Sequence, residues 1–205
     1  MNNVFRILFG CVLGIGLAGM PAAANDTDAK FNAAAQTIAR KFQQDEVIIN
    51  AVLEQNQNSK YLDMAAIGAL NAQWIAELAT PKRNLINKLQ NNDLSIYLHN
   101  LKQQSAGEIL EMIVMDNKGL NVGQSGVTSD YWQGDEDKWL KPFVEAAGHV
   151  FVDEIRWDES VQNYEVQVSF TLFDPATQTQ IGAMTVGLRV PQYPSFYAKS
   201  KRQSN

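Results

Sequence analysis

The sequence predicts an α+β fold in which a helical region is followed by a five-stranded antiparallel sheet. Two observations support this prediction. Apolar residues recur at helical spacing up to about Gly107, and from there on they follow the patterns of strands separated by turns. In addition, a helix-bearing connection lies between the second and third strands, as expected when a hairpin leads into a separate set of strands.

The first 24 residues are expected to precede the fold. They contain one charge, Arg6, then an apolar run over residues 7–20, then Pro21 and a small-residue A-x-A site that ends at Ala24. This is the layout of a cleaved secretory signal peptide, and the run is shorter than the roughly 20 residues of a membrane-spanning helix. We therefore expect a periplasmic mature protein; an uncleaved membrane anchor is the alternative.

Charge and cysteine content exclude several functional classes. The net charge of −5 becomes −6 when Arg6 leaves with the signal peptide, so nucleic acid is not an expected partner. Cys11, the only cysteine, is lost in the same step. The mature chain then has no disulfide, thiolate nucleophile or thiolate metal site, and its stability must come from the core.

Residues 25–107 are predicted to be the helical region. Residues 28–55 show helical spacing without Gly or Pro and predict one long amphipathic helix, which ends at a break over 56–60. Residues 61–78 are rich in alanine and predict a second helix. Thr80-Pro81 is a helix-start signal, and Asp93 begins a further short helix.

Residues 108–190 are predicted to be the sheet region. The predicted strands are 108–115, 120–125, 149–157, 163–173 and 180–190, with a helix over 135–147 in the connection. A D-N-K-G turn joins the first two strands into a hairpin, and the first strand is apolar on both faces, which predicts a central, covered position. In the fourth strand Val166 and Val168 alternate with Gln167 and Ser169. Residues 191–205 are expected to be a tail that packs weakly or not at all.

These elements occur in the order of a PAS-like extracellular sensor, and one stretch of sequence resembles a known family. The stretch is residues 112–139, in which a strand ends in Asp116-x-x-Gly119 and is followed by Asn121-Val122, by Thr128-Ser129-Asp130-Tyr131, and by Asp135-Glu136 ahead of Trp139. It resembles the Cache (PDC-type) domains that lie outside the membrane in bacterial chemoreceptors, sensor kinases and diguanylate cyclases. The similarity covers roughly residues 31–190.

The resemblance implies a PAS-like Cache fold with the long N-terminal helix on one face of the sheet. It also implies a sensor that binds a small organic ligand, such as an amino acid, carboxylate or amine, on the other face. Family members usually continue into a transmembrane helix, and no second apolar span follows the domain here. We therefore expect this protein to signal through a separate membrane-bound sensor kinase, chemoreceptor or diguanylate cyclase.

Eight residues are candidate ligand contacts. Aromatic side chains with a polar edge can stack on a ligand and hydrogen-bond to it, although one of the two in the connection is as readily a core residue. If Arg189 or Arg156 points inward, a carboxylate ligand is favoured because a guanidinium pairs with it bidentately. If only aromatics and Asp153 converge, a cationic amine is favoured. The candidates are Tyr131, Trp132, Asp153, Trp157, Ser169, Thr171, Thr185 and Arg189.

Catalytic and metal sites are not predicted, and neither is a cofactor. The acids at 135–137 are explained first as helix caps, and adjacent acids diverge around a helix rather than converging on a metal ion. The mature chain has only His99 and His149, without metal-site spacing. A hydrolase that uses His149 is the weakest alternative. A stronger one is a protein-interaction module with a vestigial pocket, which docks a membrane kinase or cyclase through its helical half or through a basic tail with Lys199, Lys201 and Arg202.

Overall fold

The computed structural model describes residues 32–158 and 163–190. The predicted signal peptide (1–24) and tail (191–205) lie outside the described residues. None of the helices in the described ranges is long and apolar enough to cross a membrane. The helices are α1 (residues 32–42), α2 (Glu46–Ser59), α3 (Met64–Leu78), α4 (Asn84–Gln90), α5 (Asp93–Gln104) and α6 (Asp137–Trp139), which continues into a π-helical segment (Leu140–Glu145).

The predicted long N-terminal helix is two helices, so its predicted bounds were wrong. The chain breaks at residues 43–45, and Asp45 caps α2 by accepting hydrogen bonds from Val47 N and Ile48 N at 3.1 and 3.4 Å. Tyr97 donates its hydroxyl to the other Asp45 oxygen at 2.7 Å. Because Tyr97 belongs to α5, a tertiary contact helps to hold the break at residues 43–45. The break that the sequence predicted at 56–60 is not formed there, since α2 continues to Ser59.

Helix α4 begins later than the Thr80-Pro81 signal predicts, at Asn84. Its first amides are satisfied by a distant carboxylate, because Glu77 Oε2 accepts from Leu85 N at 2.7 Å and from Ile86 N at 3.0 Å. The predicted start at Asp93 is confirmed for α5, which Asn92 caps by accepting from Ser95 N at 2.7 Å.

We expect Glu77→Gln to destabilise the protein at neutral pH but not at low pH. Burial raises the pKa of Glu77, yet hydrogen bonds from Gln73, Ile86 and Leu85 outweigh it and lower the pKa below its ordinary 4.5. A lowered pKa in the folded state means that the carboxylate stabilises the fold above the unfolded-state pKa, and that this stabilisation is lost as the pH falls through the folded-state value. Urea midpoints of both proteins at pH 7 and pH 3 test this. A difference of equal size at both pH values would contradict it.

The sheet has six strands in the order β2-β1-β6-β5-β3, with β4 also paired to β5. They are β1 (Ile109–Asp116), β2 (Asn121–Gln124), β3 (Val150–Val152), β4 (Arg156–Asp158), β5 (Asn163–Phe173) and β6 (Gln180–Arg189), and all pairs are antiparallel. The predicted strand 149–157 is divided into β3 and β4, so the count of five was wrong. The division falls at Asp153, whose side chain accepts from Glu154 N at 2.7 Å and turns the backbone locally.

Both faces of the sheet are covered, which confirms the prediction for β1. Helices α1, α2 and α5 pack on one face around residues such as Phe42, Val52 and Phe170. On the other face Trp139 and Phe143 pack over a small cluster of Ile113, Met115 and Ala183. A third cluster joins α3 and α4 to the connection before α6 and contains Ile67, Trp74, Ile86, Leu89, Leu120 and Tyr131. The predicted α+β fold class is confirmed.

Candidate functional site

A cleft of about 450 Å³ opens on the sheet face opposite α1 and α2. We call it the acidic cleft. One side is residues 135–138, which we call the cleft wall, and the other is residues 153, 154, 156 and 157 around β4. The floor is β5, which contributes Glu165 and Gln167 from the face opposite Val166 and Val168.

The lining of the acidic cleft is strongly negative. It contains six carboxylates and two basic side chains. Both bases already face acids of the same lining, since Lys138 Nζ lies 2.9 Å from Glu136 and Arg156 lies 3.1 Å from Asp153. The negative field in the cleft therefore attracts cations and repels anions.

Two further side chains, Gln167 and Trp157, line the cleft. Gln167 donates from Nε2 to Glu111 Oε1 at 2.7 Å, which fixes the orientation of its amide and leaves the carbonyl oxygen as an acceptor. Trp157 is 46% exposed and meets Tyr164 edge-on at 5.2 Å between ring centroids. The cleft thus combines hydrogen-bond acceptors with an accessible indole.

The inner part of the same sheet face is filled by the protein itself. Trp139 and Phe143 stack at 4.8 Å above the sheet. Thr171 donates its hydroxyl to Pro142 O at 2.6 Å and accepts from Gly148 N at 3.1 Å. Protein side chains therefore occupy the inner part of the face, and the acidic cleft lies at its outer end, toward β4.

The structure separates the predicted site residues into distinct places. Asp153 and Trp157 line the acidic cleft together. Ser169, Thr171 and Thr185 are fully buried on the sheet, and the hydroxyls of Ser169 and Thr185 lie 2.9 Å apart. These three residues lie on the part of the sheet that the π-helical segment covers, and they do not line the cleft.

Tyr131 and Trp132 lie in the third core cluster. Tyr131 stacks on Trp74 at 5.5 Å, and burial, followed by the charge of Asp116, raises its pKa to about 12. Trp132 donates from Nε1 to Lys118 O at 2.8 Å. Both backbone amides bind Asn71 Oδ1, at 2.9 and 3.1 Å. The structure thus places the two residues outside the lining of the acidic cleft.

Arg189 also contacts protein groups, although its strand position is on the cleft face. It donates from Nε to Gly107 O at 2.6 Å and from a terminal nitrogen to Asn163 Oδ1 at 3.3 Å. These bonds hold the guanidinium at the end of the sheet. Arg189 is not part of the lining of the acidic cleft.

Sequence reasoning missed most of the cleft wall. The acids at 135–137 were interpreted as helix caps, but the residue at the cap of α6, Glu136, makes no side-chain hydrogen bond to the helix. Their position after a glycine, facing a strand that contains another acid, is a signal visible only when the fold is known. Among the described residues no group of three or more His, Cys, Asp or Glu side chains has the arrangement of a metal site.

No protein-family model matches the chain, and no curated protein matches it. Solved structures similar to it include sensor domains. The sensor domain of the Vibrio cholerae histidine kinase DctB is 12% identical with a TM-score of 0.46 over 83% of this chain and 57% of that one. The sensory domain of the Campylobacter jejuni chemoreceptor Tlp3 is 12% identical with a TM-score of 0.38 over 82% and 63%. The Escherichia coli DcuS sensor domain is 16% identical with a TM-score of 0.37 over 70% and 100%.

These matches are sensor domains of the kind that the sequence resemblance predicts, with TM-scores of 0.37 to 0.46. The chain spans about three fifths of the length of the DctB and Tlp3 domains. At such identities the likeness concerns the fold, and it assigns no ligand to this chain.

Proposed function

We propose that this protein is a periplasmic, non-catalytic sensor-type domain that binds a small organic cation in the acidic cleft. The observation that carries the proposal is the lining of this cleft, in which six carboxylates and an exposed indole surround a volume of about 450 Å³. That volume lies within the range of roughly 300 to 1,000 Å³ that small-molecule sites occupy.

The positions of Arg189 and Asp153 favour an amine over a carboxylate ligand. The guanidinium of Arg189 is held outside the cleft by Gly107 O and Asn163. Arg156 does line the cleft, but its guanidinium lies 3.1 Å from Asp153 and is offset by five further carboxylates of the lining. An ammonium group gains from the carboxylates by Coulomb attraction and from the indole face by cation–π interaction. A carboxylate ligand would meet net repulsion from the same lining.

Export and signalling through a partner belong to the same proposal. A signal peptide over residues 1–24 would deliver the domain to the periplasm, and a separate membrane-bound kinase, chemoreceptor or cyclase would read its ligand state. The N-terminal sequence of the protein isolated from periplasm tests the first part, since cleavage after Ala24 is expected and an intact Met1 would contradict it.

A panel of matched ligands tests the binding proposal. Putrescine and succinate share a four-carbon skeleton with opposite charges, and so do phenethylamine and 3-phenylpropionate on an aromatic skeleton. We expect thermal stabilisation by the two amines and none by the two acids, because a ligand that binds the folded state raises its melting temperature. Equal or absent shifts with all four compounds would contradict the proposal.

We expect Trp157→Ala to weaken phenethylamine binding roughly fivefold to thirtyfold, which is about 1–2 kcal/mol for loss of an accessible aromatic partner. Putrescine, which has no ring to stack, should lose less. Calorimetric titration of both amines measures the difference. Unchanged affinity for phenethylamine would place the ligand away from the indole.

One observation favours a second function. The inner sheet face is filled by Trp139 and Phe143, as expected of an interaction module with a vestigial pocket. Such a module would dock a membrane kinase or cyclase without any ligand. This alternative requires that the protein retain such a partner from periplasm without added ligand. It also requires that neither amine of the panel raise the melting temperature.

A further inference from the structure

The turn between β1 and β2 is fixed by its own contacts. Asp116 Oδ1 accepts from Lys118 N at 2.8 Å and from Leu120 N at 2.9 Å, and Gly119 N donates to Asp116 O at 3.1 Å. Gly119 has a φ of +82°, and a Cβ atom there would lie 2.6 Å from Gly134 Cα. The turn is therefore conformationally restricted, and it lies directly against the connection that forms the cleft wall.

Three backbone carbonyls of this turn hold the connection on both sides of the cleft wall. Lys118 O accepts from Trp132 Nε1 at 2.8 Å, and Gly119 O accepts from Gln133 N at 2.7 Å. Asp116 O accepts from Trp139 Nε1 at 3.1 Å. Because Trp132 and Gln133 precede the cleft wall (residues 135–138) and Trp139 follows it, both ends of the cleft wall are tied to one turn.

The side of the turn formed by Asn117 and the Lys118 side chain holds the C-terminal end of α2. Lys118 Nζ donates to Lys60 O at 3.0 Å and to Leu62 O at 2.6 Å, which are carbonyls just after the last turn of the helix. Asn117 N donates to Asn56 Oδ1 at 3.1 Å. The helix end and the cleft wall thus share a four-residue support.

We propose that the Asp116–Gly119 turn links the cleft wall mechanically to the C-terminal end of α2, and that Lys118 is the positioning residue of this link. A displacement of the cleft wall moves the carbonyl groups of the turn to which it is hydrogen-bonded. The turn then moves the Lys118 side chain, which is hydrogen-bonded to the end of α2. The link rests on the proposed function only in that the cleft wall is taken to contact a ligand. The hydrogen bonds that form the link are present without a ligand, and the experiment below is done without one.

Hydrogen exchange of the ligand-free protein tests the link. Trp139→Phe removes the Nε1–H donor to Asp116 O while keeping a ring beside Phe143. We expect this substitution to raise the amide exchange rates of residues 57–62 at least about threefold. When it is added to Lys118→Met, the further rise should be less than about 1.5-fold, because the effects of two changes on one path are not additive. Lys88→Met, at an exposed lysine of α4, is the matched control and should leave both segments unchanged.

Two outcomes would overturn the link: an effect of Trp139→Phe confined to residues 116–143, or an undiminished effect at 57–62 in the Lys118→Met background. If Trp139→Phe does not fold, Lys118→Met tests the link by itself. Coupling is reciprocal, so the amides of the cleft wall should exchange faster in this variant than in the wild type. Unchanged exchange at the wall would overturn the link. Failure of the amine panel would bear on the proposed function alone, since no ligand enters this experiment.

Discussion

Trp74→Ala is expected to lower the free energy of unfolding by about 3–5 kcal/mol, the range for truncating a large core aromatic. Trp74 is fully buried, stacks on Tyr131 at 5.5 Å and donates from Nε1 to Thr128 O at 2.9 Å. The substitution leaves a cavity between α3 and the connection and removes the hydrogen-bond donor to the carbonyl oxygen of Thr128. Urea unfolding followed by circular dichroism measures the loss.

Trp157→Ala is the matched control, because it makes the same substitution at a residue that is 46% exposed. It should change the free energy of unfolding by less than about 1 kcal/mol, as substitutions near the surface usually do. Comparable losses at the two positions would contradict the assignment of Trp74 and Tyr131 to the core and of Trp157 to a ligand-accessible surface.

Gly182→Ala is expected to destabilise the protein by about 1–3 kcal/mol or more, in the manner of an overpacked core. Gly182 lies in β6 opposite Asp116 of β1 and Leu172 of β5. A Cβ atom there would clash with the backbone oxygen of Met115 and would lie 3.2 Å from Val52 Cγ1. Because the first of these neighbours is backbone, the strands must separate to relieve the clash.

Gly68→Ala provides the opposite case on α3. A Cβ atom at position 68 meets nothing within 4 Å, so the substitution should stabilise the protein by up to about 1 kcal/mol through helix propensity and reduced freedom of the unfolded chain. Melting temperatures of the two variants should therefore shift in opposite directions. A raised melting temperature in Gly182→Ala would contradict the close packing at Gly182, and a lowered one in Gly68→Ala would contradict the open space at position 68.

The strands were predictable because apolar and polar residues alternate along them, and this local pattern reflects which side chains are buried. In β5, Val166 and Val168 face the helices whereas Gln167 faces the acidic cleft, as a period of two requires. The break before α2 was not predictable in this way. Its cause includes the hydroxyl of Tyr97, 52 residues along the chain from Asp45, and no local pattern records that contact.

The candidate site was predictable only in part for the same reason. Asp153 and Trp157 lie close together in sequence, so a single turn brings both into the cleft. Tyr131 has a polar edge and lies in a connection, which favoured a ligand contact, but Trp74 from α3 stacks on it and buries it. The acids of residues 135–137 become cleft residues only because α6 places them opposite β4.

Calorimetric titration of putrescine and succinate into the wild type and Asp153→Asn tests the central claim most directly. Asp153 carries one of the six cleft carboxylates, and its replacement keeps the shape of the side chain while removing its charge. We expect putrescine to bind the wild type, to bind Asp153→Asn about tenfold more weakly, which is about 1.4 kcal/mol, and to weaken in high salt. Succinate should bind neither. Succinate binding as strong as that of putrescine, or putrescine affinity unaffected by Asp153→Asn, would contradict a cation-binding cleft.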